Sequence, residues 1–130
     1  MKILLVDDSR FLRKAGEQAL RKAGYDVISA SDGDEALKIA QEQIPNLILL
    51  DMMLPKLPGL EVLRALKQNA ATKDIPVIIL TGLSERNSEK LLKEGATSYV
   101  EKSDKLLEKD GAALIQAVTQ VLGKAAAPSS

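Results

Sequence analysis

The sequence predicts an α/β fold: a parallel β-sheet with helices packed on both faces. Three observations lead there. Short apolar runs alternate five times with longer amphipathic segments. The runs are continuously apolar rather than alternating, as expected of strands buried on both faces. Finally, the first, third and fourth runs lead into Asp7-Asp8, Asp51 and Thr81, polar residues that parallel strands would bring to one edge.

Taken in order, the predicted strands cover 3–6, 26–30, 47–50, 77–80 and 97–100. Between the first two, Leu12, Ala15, Gly16, Ala19, Leu20 and Ala23 follow the i, i+3, i+4 spacing of a helix, and Gly24 suits its C-terminal cap. Asp32-Gly33-Asp34-Glu35 opens a second helix with acidic groups that favour the positive end of the helix dipole. Leu60, Leu63 and Leu66 make the inner face of a third, with Pro58 near its start. A fourth is expected over 84–93, ending before Gly95. In the last, Leu114, Ala117, Val118, Val121 and Leu122 share one face. Strand–helix repetition of this kind implies right-handed crossovers and three layers. Ligands then bind beyond the carboxyl ends of the strands. Residues 1–123 read as one domain, and 124–130, rich in Ala, Pro and Ser, as a flexible tail or the start of a linker.

Composition excludes several functions. Lys plus Arg and Asp plus Glu number 18 each in 130 residues, so no basic face for direct nucleic-acid contact is expected. Three scattered aromatics, Phe11, Tyr25 and Tyr99, make no base-stacking platform. With no cysteine and no histidine, thiolate chemistry, disulfides, His-ligated zinc and His-based triads are excluded. Neither a P-loop nor G-x-G-x-x-G occurs. The first apolar run stops at Asp7, too short for a signal peptide or a membrane span, and a cytoplasmic location is expected.

The polar residues at strand ends form a set: Asp7 and Asp8, then Asp51, then Thr81, then Lys102 after the fifth strand. Singly each has a plainer role. Asp8 or Ser9 would cap a helix, Asp51 would sit in a loop, and Thr81 in a turn. Lys102 would be solvated, Tyr99 would be a half-buried strand residue, and 102–110 would be charged surface. Jointly, three carboxylates at one edge require a cation, and a cation beside a carboxylate nucleophile suits phosphoryl chemistry.

This ordered set, with Asp51-Met52-Met53-Leu54-Pro55 followed by Gly59, resembles the receiver domain of two-component response regulators, chemotaxis regulators among them. The resemblance runs from Met1 to about Leu122 and implies a flavodoxin-like sheet of strand order 2-1-3-4-5. It implies that Asp51 accepts a phosphoryl group from a sensor histidine kinase or phosphotransfer protein. Asp8, Asp51 and the backbone carbonyl of Met53 would ligate one Mg²⁺, with Asp7 acting through water. Lys102 would pair with Asp51 and then with a phosphoryl oxygen, and Thr81 would hydrogen-bond another. Thr81 and Tyr99 would move together as the switch, with room left by Gly82. A homodimer is one arrangement the resemblance leaves open.

The sequence departs from the pattern in three places. Ser103 follows Lys102 where most receivers carry a proline in a cis peptide. The connection over 103–111 is longer than usual, with Leu106-Leu107 suited to a helical turn inside it. Met53 and Leu83 stand where polar side chains orient the attacking water in relatives that dephosphorylate fast, so slow autodephosphorylation is expected. Two rival functions fit parts of the pattern. A haloacid-dehalogenase-type phosphatase would put its nucleophile after the first strand with a second aspartate two residues on, unlike Asp51-Met52-Met53. A non-phosphorylated pseudo-receiver acting as a protein-binding module is the alternative that Ser103 keeps open.

Overall fold

The structure is a computed structural model that describes residues 1–52, 54, 57–82, 85–102 and 104–126. The chain order is β1 (Lys2–Val6), α1 (Arg10–Lys22), β2 (Asp26–Ala30), α2 (Gly33–Gln43), β3 (Leu47–Asp51), α3 (Gly59–Gln68), β4 (Val77–Thr81), α4 (Glu85–Lys93), β5 (Ser98–Glu101), a 3-10 turn (Asp104–Leu107) and α5 (Glu108–Ala126). All neighbouring strands are parallel, in the order β2-β1-β3-β4-β5. The flavodoxin-like topology expected from the sequence is the one observed.

The apolar runs behave as their composition dictates. Every residue of β3 and β4 is buried. Alternate residues feed two cores. Leu4, Val6, Ile48, Leu50, Val77 and Ile79 face one layer with Val62, Leu63 and Leu66 of α3. Ile3, Leu5, Leu47, Leu49, Ile78 and Leu80 face the other with Leu20, Leu114, Val118 and Leu122. Three strands end one residue later than the apolar runs, because Asp51, Thr81 and Glu101 continue the ladder: their partners are Leu80 for Asp51 and Glu101 for Thr81. The fifth strand also starts one residue late. Thr97 serves the sheet from outside the ladder, its amide donating to the Val77 carbonyl (2.8 Å) and its hydroxyl accepting from the Val77 amide (3.3 Å).

Helix ends follow the sequence signals. Ser9 caps α1, its hydroxyl accepting from the Leu12 amide (3.3 Å). Asp32 caps α2 by accepting from the Glu35 amide (2.9 Å). Gly24, at φ 101°, closes α1: Tyr25 N–H donates to the Leu20 carbonyl and Gly24 N–H to that of Arg21, a Schellman closure. In α3 the inner face is wider than the leucine spacing suggested, since Val62 is buried with Leu63 and Leu66 while Leu60 is only partly covered.

The stretch 102–110 departs from the expectation of charged surface. Leu106 is 1% exposed and belongs to the core shared by Leu5, Leu49 and Leu114. The helical turn expected at Leu106-Leu107 is present as the 3-10 turn. Beyond it, Lys109, Asp110 and Gly111 are all left-handed, interrupting the start of α5.

Candidate functional site

The sheet register assembles the site. Val6 lies opposite Leu50, so Asp7 and Asp51 continue side by side from adjacent strands. Thr81 ends β4 one residue past the partner of Asp51, and the Lys102 amide donates to the Thr81 carbonyl (2.8 Å). The residues expected at one sheet edge are therefore brought together from β1, β3, β4 and the end of β5.

Asp7 is fully buried. Its Oδ1 accepts from the Ser9 amide (2.8 Å), and its backbone carbonyl accepts from the Arg13 guanidinium (2.8 Å). Asp51, 1% exposed, accepts a hydrogen bond from Lys102 Nζ at Oδ2 (2.9 Å). The same ammonium lies 2.9 Å from Asp7 Oδ2, bridging both carboxylates. That second contact is an ion pair without hydrogen-bond geometry, so Asp7 Oδ2 remains a buried oxygen lacking a hydrogen-bond donor. Asp8 is exposed, and one oxygen from each of Asp7, Asp8 and Asp51 lies within 4.8 Å of the others. Three hard oxygen donors in that space, one of them short of a donor, fit a divalent cation.

Burial alone would lower the Lys102 pKa. The short contacts of the ammonium with the Asp7 and Asp51 carboxylates outweigh it and hold the ammonium above the ordinary lysine value. The stability this pairing contributes is fully present below the ordinary lysine pKa. It is lost only as pH rises through the raised value.

Thr81 is buried at the edge, while Gly82 is exposed and a side chain there would meet open space. Tyr99 lies on β5 with 39% of its surface exposed. Met53, Leu83 and Ser103, and with Ser103 the Lys102–Ser103 peptide bond, lie outside the described residues. Sequence reasoning missed Arg13, whose signal is faint: a basic residue one helical turn past the Ser9 cap, six residues from the carbonyl it serves. It also missed why a glycine opens α3. A Cβ at Gly59 would collide with the Asp51 carbonyl and come within 2.7 Å of Met52 Cα.

A groove of about 330 Å³ lies elsewhere, between Ala15, Ala19 and Lys22 of α1 and Leu107, Asp110 and Gly111. The carboxylate edge carries the chemistry, since the groove holds no cluster of ionised groups beyond the exposed Lys22–Asp110 pair.

The family model described as "Response regulator receiver domain" matches residues 3–119. The chain belongs to this family. It is a receiver domain of two-component systems. Among similar proteins, the alkaline phosphatase synthesis transcriptional regulatory protein PhoP of Bacillus subtilis is 45% identical over 102 residues, covering 78% of this chain and 42% of that one. Protein PilG of Pseudomonas aeruginosa is 36% identical over 105 residues, covering 78% of this chain and 76% of PilG. Among solved structures, the chemotaxis response regulator CheY4 of Vibrio cholerae superposes with a TM-score of 0.83 at 30% identity, covering 92% of this receiver and 97% of CheY4. The receiver spans less than half the length of several of the curated relatives it matches. Among the described residues no helix is long and apolar enough to cross a membrane.

Proposed function

We propose that this receiver takes a phosphoryl group from a sensor histidine kinase or phosphotransfer protein onto Asp51, in a Mg²⁺-dependent reaction, and then switches conformation to control a partner or output. The single observation that carries the reading is the Lys102 ammonium held 2.9 Å from both Asp51 Oδ2 and Asp7 Oδ2 at the sheet edge.

In this reading the Asp51 carboxylate attacks phosphorus in line. The new P–O bond forms as the P–N bond to the donor imidazole breaks, and the imidazole leaves with a proton from solvent. Lys102 leaves Asp51 for a phosphoryl oxygen and meets charge that grows toward the transition state. The Thr81 hydroxyl donates to another phosphoryl oxygen. Asp8, Asp51 and the Met53 carbonyl would hold the cation, with Asp7 acting through water. When bound there, Mg²⁺ would supply charge neutralisation at the carboxylate edge. The buried Asp7 Oδ2, short of a donor, would accept a hydrogen bond from water there.

The switch is a shift between pre-existing states, with Thr81 drawn toward the phosphoryl group and Tyr99 moving inward from its exposed position. The receiver is a phosphoacceptor rather than a turnover enzyme, works in the cytoplasm, and is able to pair as a homodimer. Its own net charge of zero favours a protein partner over direct nucleic-acid contact.

Incubation with Mg²⁺ and acetyl phosphate, read by intact mass, tests this. One phosphoryl adduct is expected on the native chain and none on Asp51→Asn. Absence of the adduct from folded, Mg²⁺-binding protein would favour the pseudo-receiver instead.

A further inference from the structure

Lys102 is held in place by the chain that follows it as well as by its ion pairs, and we propose that Leu106 is its positioning residue. On the near side, the Lys102 amide is fixed to the Thr81 carbonyl at 2.8 Å. On the far side, Leu106 is sunk to 1% exposure among Leu5, Leu49, Leu80 and Leu114. The four residues from Lys102 to Leu106 reach at most about 14 Å when fully extended. Anchoring both ends of so short a tether leaves the lysine backbone little freedom. A connection serving only as surface would not need a leucine in the core.

The chain goes to some length to keep Leu106 inside. Lys109, Asp110 and Gly111 adopt φ of 55°, 59° and 78° in succession, and left-handed backbone is disfavoured for the two that carry side chains. Gly111 packs so closely on α1 that a Cβ there would stand 2.8 Å from Ala19 Cβ. The Lys22–Asp110 pair at 3.3 Å is exposed on both sides and contributes little. The left-handed turn is the route by which the long connection buries Leu106 and still rejoins α5. Ser103 stands where the family pattern has proline, so Leu106 supplies the constraint on Lys102 from further along the chain.

The link to phosphorylation rests on the function proposed above, but the first readout does not. Amide hydrogen exchange by NMR would compare Leu106→Ala, Leu106→Met and Leu122→Ala in the full chain; Leu122 is buried in the same core far along α5. Exchange at Lys102, normalised to core amides of β3, is expected to rise about tenfold in Leu106→Ala and to stay near the native value in the other two. The rate of phosphorylation by acetyl phosphate should fall about tenfold in Leu106→Ala alone, with Leu106→Met restoring it. Should Leu106→Ala not fold, Leu106→Val carries the same comparison, with about a threefold rise expected. Equal protection of Lys102 in the Leu106 and Leu122 variants would overturn the proposal, whether or not Asp51 accepts a phosphoryl group.

Discussion

A carboxylate as deeply buried as Asp7 needs a standing countercharge, because an isolated buried ion is far too costly to keep. Lys102 provides it, and divides the same charge with Asp51. In the proposed function, how long a phosphoryl group lasts on Asp51 depends on side chains able to orient water. Neither Met53 nor Leu83 carries a polar atom able to orient water, so the acyl phosphate should persist. Following its decay in purified protein checks this: slow loss is expected, accelerated about tenfold by Met53→Asn, less than the roughly 10²–10⁴-fold of a full general base because an amide orients water without taking its proton. Rapid loss that Met53→Asn leaves unchanged would refute it.

At the scale of elements, α3 begins hard against the strand that carries the nucleophile. The Gly59 amide donates to the Met52 carbonyl (3.1 Å), and its Cα faces the Asp51 carbonyl with no room for a methyl group. Both neighbours are backbone, so they cannot swing aside. Gly59→Ala should therefore cost about 1–3 kcal/mol of stability, the usual size of an overpacking strain. It should also slow phosphorylation of Asp51 by displacing its backbone. A urea titration and the acetyl phosphate rate check the two effects; an unchanged midpoint would refute the packing argument. The elements themselves were legible because buried parallel strands leave continuous apolar runs, and because Ser9, Asp32 and Gly24 cap their helices by purely local chemistry. The site was legible for the same reason: strand ends in a parallel sheet have only one edge to occupy. What escaped was tertiary. Leu106 sits in a segment whose charges suggested solvent, and nothing local signals that Lys109 and Asp110 turn left-handed to bury it. The bidentate Arg64–Glu94 bridge, 2.8 and 3.1 Å, joins α3 to the end of α4 across 30 residues and leaves no periodic trace. Arg64 holds the Glu94 carboxyl below its ordinary pKa, so whatever that bridge adds is lost as pH falls through the lowered value.

For the whole molecule, the carboxylate edge is a local excess of charge in an otherwise balanced chain. Overall the positive and negative side chains cancel at 18 each, yet the carboxylates of Asp7, Asp8 and Asp51 come together, with Lys102 bridging Asp7 and Asp51. Folding brings these carboxylates within 4.8 Å, whereas the unfolded chain separates Asp51 from the other two by more than forty residues. Divalent cation should therefore bind the native state and scarcely the unfolded one, and stabilise by mass action. At ten times its dissociation constant Mg²⁺ would add about 1.4 kcal/mol. With an unfolding entropy typical of this chain length, that raises the Tm by about 5 °C. Thermal unfolding with Mg²⁺ and with chelator measures the difference directly. The gain should vanish in Asp51→Asn and shrink in Asp8→Ala, while Glu94→Gln, far from the edge, should lower the Tm equally with and without the cation. A Mg²⁺ gain that survives Asp51→Asn intact would mean that the ion binds elsewhere. Lys102 would then hold Asp7 and Asp51 without a metal.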